Sequence, residues 1–273
     1  MAGNILNSQR LVQLAGFHPQ LQKVWYLIAA TTLSACNEPQ EVPKLYHFAM
    51  LNDSQLDVEG PKNAVRTLEL LQSNPVKLDQ EINEMYNDPQ KSQTIITQKL
   101  REALLKSSAL TGIPKSINSL QALKMVTPKK LKPITEDIDA HSNNLFEGSA
   151  RPVDVAPGKV VENGIHHWNR IYSKVTNKVI NNLNTSYPDL WQFVLCNVYG
   201  PLLSFDDILD AQETSLVIIA ALVPQDLNAQ LWGHLKGALN VGCDRETINA
   251  ARNMSILISK WCGIRWKSDV VRL

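Results

Sequence analysis

The spacing of apolar residues is the feature that most constrains the fold of this chain. Along almost its whole length, apolar side chains recur at intervals of three and four residues, as at Ile96, Leu100 and Ala103. This is the period of an α-helix that buries one face. No segment alternates apolar and polar residues long enough to indicate a half-buried β-strand. The sequence therefore predicts an all-α protein.

The clearest helical signals lie in the second half of the chain. An apolar stripe over residues 164–183 predicts one long helix, and the run 215–222, apolar on all sides, predicts a helix at the centre of the core. A helix over about residues 227–240 follows, and Asp244 is a typical N-cap residue for the last helix. The longest apolar run, 216–223, is far shorter than the ~20 residues that cross a bilayer, so we expect no membrane-spanning segment.

Composition and charge narrow the class of protein. With 273 residues, of which 44% are hydrophobic, the chain can bury one large core or two modest ones. Its net charge of +1 gives no field that would attract nucleic acid or an anionic membrane, so neither is an expected partner. The cysteines are scattered without a Cys-x-x-Cys pair, which indicates reduced thiols in an intracellular protein and no zinc site. They are Cys36, Cys196, Cys243 and Cys262.

Four segments of the second half occur in an order that is typical of one known family. They are YPDL from Tyr187, VYGPLLS from Val198, LVIIAAL from Leu216 and LWGHLKGALNVG from Leu231. Together they resemble the carboxymuconolactone decarboxylase family, which shares the all-helical fold of the alkylhydroperoxide reductase partner protein AhpD. The resemblance covers about residues 164–259 and implies an AhpD-like fold.

The first half resembles a weaker second copy of the same unit. Residues 45–51 resemble the family's histidine helix, so that His47 would correspond to His234, and Gly112 would correspond to Gly263. The path from His47 to Gly112 is about 36 residues longer than its counterpart, which predicts an insertion at about residues 52–90. The predicted organisation is a divergent unit 1–126, a linker 127–158 and a second unit 159–273. Such a pair would pack as an internal pseudo-dimer.

The resemblance implies a dithiol in the thiol-active branch of the family, seven and four residues before the histidine. Here these positions hold Leu227 and Gln230. Since the thiolate is the nucleophile of that mechanism, the dithiol peroxidase reaction is excluded at this site. The family's glutamate position falls on Ser215. Glu213 is two residues away, turned by about 200° on a helix, and does not simply replace it.

The first functional hypothesis follows the decarboxylase branch of the family and concerns His234. A neutral imidazole on the inward face of a helix can act as general acid or base, without metal or cofactor, on a small carboxylated or lactone substrate. Glu213 is the candidate partner of His234. The alternative is a non-catalytic member that binds a ligand or assembles, for example as a homo-oligomer, with His234 and His47 as hydrogen-bonded core residues. The adjacent His166 and His167 point about 100° apart on a helix, so no shared metal is predicted.

A third hypothesis assigns a thiol-dependent, peroxide-related activity to Cys243. This residue lies at the start of the last predicted helix, where the helix N-terminus favours a thiolate. The simpler interpretation is a loop residue, because no second cysteine stands near it in the sequence to resolve an oxidised sulfur.

The end of the chain carries a possible targeting signal. Val271, Arg272 and Leu273 resemble the Ser-Lys-Leu type of peroxisomal signal, in which Arg in the middle and Leu at the end are accepted. Valine departs from the small residue normally found first. We therefore predict a location in the peroxisomal matrix with the import receptor as a partner, and a cytoplasmic location as the alternative.

Overall fold

The computed structural model describes residues 4–52, 56–134 and 145–273, with backbone alone for residues 56–58. This part of the chain is helical and contains no β-strand, which confirms the predicted all-α class. None of its helices is long and apolar enough to cross a membrane. The helices are α1 (Ser8–Ala15), α2 (Trp25–Ala35), α3 (Val42–Leu51), α4 (Leu56–Leu71), α5 (Pro75–Met85), α6 (Lys91–Thr111), α7 (Ile113–Met125), α8 (Pro157–Tyr172), α9 (Thr176–Ser186), α10 (Pro188–Phe193), α11 (Ala211–Leu222), α12 (Asn228–Asn240) and α13 (Arg245–Trp261). A π-helical segment, Val194–Leu203, continues α10.

Two helices form the centre of the core. Every residue of α2 is buried, and so is every residue of α11 except Gln212 and Glu213. This confirms the central helix predicted from the apolar run 215–222. The predicted N-cap of the last helix is also confirmed, since the Asp244 carboxylate accepts a 2.7 Å hydrogen bond from the Thr247 amide.

The two halves exchange helix contacts in a crosswise pattern. Helix α2 of the first half packs against α13 of the second, while α11 of the second packs against α6 of the first. In chain order α2, α3 and α6 would correspond to α11, α12 and α13. The crosswise contacts are then those that two units related by a two-fold axis make. The tandem organisation and the division into units 1–126 and 159–273 stay predictions.

The predicted insertion and linker have different structures. Helices α4 and α5 occupy most of the predicted insertion at residues 52–90. In the predicted linker, residues 127–134 and 145–156 contain no α-helix, and residues 135–144 lie outside the described part of the chain. Arg151 anchors the linker to both halves. It pairs with the buried Glu102 of α6, donates to the Pro201 carbonyl at 3.2 Å and lies 4.4 Å above the Phe205 ring.

The prediction of one continuous helix over residues 164–183 is wrong. The structure divides this stretch into α8 and α9 at Ser173, whose φ of 46° cannot continue a right-handed helix. The apolar stripe does not reveal the break, because Val175 and Val179 resume the same spacing beyond it. The change of direction between the two helices produces a concave surface that faces α12.

Candidate functional site

His234 lies half-buried on α12, and its imidazole has no hydrogen-bond partner among the described residues. Its ring packs edge-on against Tyr172 of α8, with 6.3 Å between the ring centroids. Burial lowers the pKa of His234 to about 4. The imidazole is therefore neutral at physiological pH. His234 itself does not line the cleft described below, but its neighbours Gly233 and Tyr172 do.

A cluster of aromatic side chains surrounds Tyr172. The Tyr172 and Tyr199 hydroxyls share a 3.1 Å hydrogen bond, and the Trp168 ring packs against both, at 4.2 Å from Tyr172 and 4.6 Å from Tyr199. The His167 ring lies 6.0 Å from Tyr199. Burial raises the pKa of both tyrosines. Both hydroxyls are consequently protonated at neutral pH, so that one of them donates the hydrogen bond and the other accepts it.

A cleft of about 660 Å³ lies between the α8–α9 bend and α12, and Tyr172 is part of its wall. Three lysines line it and no carboxylate does. The Lys236 ammonium lies 4.6 Å above the Trp232 ring, a cation–π arrangement that leaves its charge facing the cleft rim. The lining residues are Ile171, Tyr172, Ser173, Lys174, Val175, Lys178, Val179, Asn182, Ala229, Trp232, Gly233, Lys236 and Asn240. Positive charge above an apolar, aromatic floor suits a small anionic molecule.

Two features of the sequence shape this cleft. The bend at Ser173 turns α9 away from the axis of α8. Gly237 lets α12 approach α8 closely, because a Cβ atom there would lie 2.7 Å from Ile171 Cγ2. The Asn240 side chain then donates a 2.8 Å hydrogen bond to the Ile171 carbonyl, which was left free at the end of α8. The close packing of α8 on α12 brings Tyr172 and His234 together.

Glu213 is not brought to His234 by the described contacts. Its carboxylate pairs with Lys99 of α6 and also accepts a hydrogen bond from the Asp210 amide, within the capping box that starts α11. Both interactions are structural, since they join the two halves and complete a helix terminus. Glu213, which lies two residues from the position of the family's glutamate, accordingly has a structural role in this chain.

The sequence analysis did not identify Lys106, a buried lysine of α6 whose charge acts on His167. Its side chain is fully buried, and the ammonium donates to the Phe205 carbonyl at 2.6 Å and to Thr214 Oγ1 at 2.7 Å. Burial lowers the pKa of Lys106 to about 8. Burial, and next the charge of Lys106, lower the pKa of His167 to about 4. The one available signal was position, because Lys106 follows Ala103 by three residues and so falls on the buried face of α6.

Lys106 predicts a pH dependence of stability. Because its ordinary pKa of 10.5 falls to about 8 on folding, the unfolded chain binds more protons between these two values. The free energy of unfolding should thus rise with pH across this window. Between roughly pH 8 and 10.5, the free energy of unfolding of the wild type should increase by about 3 kcal/mol more than that of Lys106→Met. Urea unfolding of both proteins across the window measures this gain, and parallel pH curves would contradict it.

Cys243 has the surroundings of an unreactive thiol. It is buried, and burial, followed by the negative charges of Asp210 and Asp244, raises its pKa to about 12. These effects on the pKa of Cys243 outweigh the stabilisation of a thiolate by the helix N-terminus, on which the third hypothesis depended. The cysteines are free thiols, but they are not all scattered as the sequence suggested, because the Cys36 and Cys262 side chains meet.

His47 is fully buried and fully hydrogen-bonded. Its Nδ1 shares a 3.2 Å hydrogen bond with the Tyr86 hydroxyl, and its Nε2 shares a 3.1 Å hydrogen bond with the Val126 carbonyl. Burial lowers its pKa to about 4. The hydrogen bonds with Tyr86 and Val126 therefore enclose His47 in the core. The half-exposed His234 has no such hydrogen bond among the described residues.

The end of the chain is packed against the second half. The Val271 amide donates to Asn228 Oδ1 at 2.9 Å, and the Val271 carbonyl accepts from Arg252 Nε at 2.6 Å. Arg272 is exposed, while Leu273 is partly buried against the core. An import receptor that binds these three residues would first have to lift them from this surface.

Comparisons with known proteins were consistent with the resemblance of the second half. The model of the carboxymuconolactone decarboxylase family matches residues 193–272, which include His234. The chain is 52% identical to Peroxisomal protein 2 of Saccharomyces cerevisiae, over 98% of this chain and 99% of the relative. It is 43% identical to Peroxisomal protein 2 of Schizosaccharomyces pombe, over 64% of this chain and 75% of the relative. No solved structure matches the chain.

These relatives confirm the predicted peroxisomal location. The family match covers the predicted site helix, and the first relative covers nearly the whole chain. The chain thus belongs to the carboxymuconolactone decarboxylase family, as a peroxisomal member of the AhpD-like all-helical fold.

Proposed function

We propose that the chain binds a small carboxylated or lactone molecule in the cleft between α8, α9 and α12 and acts on it by proton transfer at His234. The observation that carries this proposal is a cleft with three lysines and no carboxylate, whose wall residue Tyr172 packs edge-on against the neutral imidazole of His234, which has no hydrogen-bond partner in the described residues. The lysines attract the anion, while Trp232 and Val179 provide apolar contact for its carbon skeleton.

The pKa of His234 changes in the direction that this chemistry needs. In the empty cleft the imidazole is neutral, because burial disfavours its charged form. A bound anion reverses part of this effect, since an opposite charge nearby favours the protonated ring. A larger fraction of His234 is then protonated while the substrate is present. The ligand itself would prepare the general acid.

Decarboxylation gives the step its most specific form. The bond to the substrate carboxylate breaks, CO₂ leaves, and the electron pair moves onto the lactone carbonyl as an enolate. His234 then donates a proton to the enolate carbon and regains one from water. The lysine charges stabilise the enolate as its negative charge develops. The hydrogen-bonded pair of Tyr172 and Tyr199 supports the position of the imidazole.

Ligand binding tests the first half of the proposal. Carboxymuconolactone, the lactone acid in the family's name, should quench Trp232 fluorescence on titration. Lys236→Gln should weaken this binding about five- to tenfold, which corresponds to about 1 to 1.4 kcal/mol. Lys23→Gln, which removes an exposed lysine far from the cleft lining, is the matched control. If Lys236→Gln and Lys23→Gln bind the lactone acid with equal affinity, the cleft is not its binding site.

The second candidate function is ligand binding without turnover. It is favoured by the position of Glu213, whose carboxylate is held by Lys99 and the α11 cap, so that His234 lacks acidic assistance. This alternative predicts the same dependence of binding on Lys236, together with no release of CO₂ from the bound lactone acid. A homo-oligomer formed by such a protein stays a prediction, which sedimentation of the purified chain would test.

A further inference from the structure

Cys36 and Cys262 come from opposite ends of the chain and meet at one end of the helical core. Cys36 is the C-cap of α2 and Cys262 is the C-cap of α13, two helices that pack directly on each other. Their side chains lie close enough for each thiol to shift the pKa of the other. Both residues are only partly buried, so small molecules can reach them from solvent.

The groups around Cys36 also point to a site for thiol chemistry. The Ser259 hydroxyl is fully buried, has no hydrogen-bond partner among the described residues, and lies close enough to Cys36 to lower the pKa of its thiol. The Lys115 side chain is held nearby by a 2.6 Å hydrogen bond to the Ala35 carbonyl, and its charge acts on Cys36. Glu38 is the opposing charge on the same side.

The two sulfurs have unequal acidities. The hydrogen bond with Cys262 is the largest effect lowering the pKa of Cys36; Ser259 and Lys115 lower it further, against burial and Glu38. The hydrogen bond with Cys36 and burial raise the pKa of Cys262. Cys36 accordingly forms a thiolate more readily and would attack peroxide first, while Cys262 is the neighbouring thiol that can then attack the oxidised sulfur.

We propose that Cys36 and Cys262 are a peroxide-reactive thiol pair that closes a disulfide between α2 and α13. The Cys36 thiolate attacks one oxygen of hydrogen peroxide, the O–O bond breaks, and water leaves after taking up a proton. Cys36 is then a sulfenic acid. The Cys262 sulfur attacks it, an S–S bond forms, and the hydroxyl leaves as water with the Cys262 proton. Two thiols are oxidised and one peroxide is reduced.

The disulfide would join the two predicted units. It would connect the end of the central helix of the first half to the end of the last helix, across the crosswise interface. A cross-link between residues so distant in sequence restricts the unfolded chain strongly. The oxidised protein should therefore melt at a higher temperature than the reduced protein, and a dithiol reductant should reverse the change.

The direct test is oxidation of the reduced full chain with hydrogen peroxide, followed by peptide mass spectrometry without reduction. We expect a cross-linked peptide containing Cys36 and Cys262, and a fall from four free thiols to two. Cys36→Ser and Cys262→Ser should each prevent the cross-link, while Cys196→Ser should not. Four thiols remaining, or cross-links between molecules alone, would overturn the proposal.

A second measurement does not depend on variants that fold. Phenylarsine oxide binds two neighbouring thiols at once, so the reduced wild-type chain should bind it with one-to-one stoichiometry and lose the accessibility of two cysteines. Digestion should locate the arsenic on the Cys36 and Cys262 peptides. An absence of binding, or arsenic on other cysteines, would show that the two thiols do not form a pair.

Discussion

Arg151→Ala is expected to lower the free energy of unfolding by about 3 to 5 kcal/mol. Arg151 pairs with Glu102, whose side chain is 3% exposed, and its loss leaves this buried carboxylate without its salt-bridge partner. The substitution also removes the hydrogen bond to the Pro201 carbonyl and the cation–π contact with Phe205. Urea denaturation followed by far-ultraviolet circular dichroism measures the loss.

Two further variants separate the stranded charge from the other contacts. Adding Glu102→Gln to Arg151→Ala should recover part of the stability, because a neutral amide is less costly to bury than an unpaired carboxylate. Lys159→Ala breaks an exposed pair with Glu162 and should change stability by less than about 1 kcal/mol. If Arg151→Ala costs no more than Lys159→Ala, the linker is not anchored as described.

The arrangement of helices was predictable to the extent that it depends on local spacing. The central helix α11 has an apolar run on all sides, and α13 begins at a good N-cap, so both could be assigned from neighbouring residues alone. The bend at Ser173 could not, because the side-chain pattern continues past its positive φ. The spacing of apolar residues shows which face of a helix is buried, but it does not show where the helix axis changes direction.

The candidate site shows the same limit more strongly. His234 was recognisable from its motif, but the partners that surround it come from other helices. Tyr172 lies across the α8–α12 contact from His234, and Lys106, whose charge acts on the nearby His167, comes from the other half of the chain. Cys36 and Cys262 seemed unrelated because nothing local connects the ends of α2 and α13. Such contacts are set by tertiary packing, which a single sequence does not display.

The two histidines illustrate how one sequence motif can have two structural outcomes. His47 is enclosed by Tyr86, which the predicted insertion contributes, and by the Val126 carbonyl. No corresponding tyrosine bond closes His234, and its neighbours Tyr172 and Gly233 line the cleft at the α8–α9 bend. The extra helices of the first half therefore stabilise one histidine, and the described part of the second half has no counterpart of these contacts.

His234→Gln should lower kcat for the lactone acid by about 10²- to 10⁴-fold while leaving its Kd within about twofold of wild type. Glutamine is similar in size and polarity but cannot exchange a proton at neutral pH, which is the contribution of a general acid or base. Stopped-flow measurement of CO₂ release gives kcat, and Trp232 fluorescence gives Kd. Because the protonated ring is the proton donor and the pKa of free His234 is about 4, kcat/KM should fall by about tenfold per pH unit above about pH 5, and a flat profile would contradict proton donation by His234.

His47→Gln is the matched control for this result. Both ring nitrogens of His47 are bonded inside the core, so that variant should lose stability without a change in kcat at temperatures where it is folded. The opposite pattern, with full turnover in His234→Gln, would place the chemistry elsewhere in the cleft. Binding of the lactone acid by wild type without CO₂ release would instead identify the cleft as a binding site alone, because the lysines that attract the anion do not depend on the proton carried by His234.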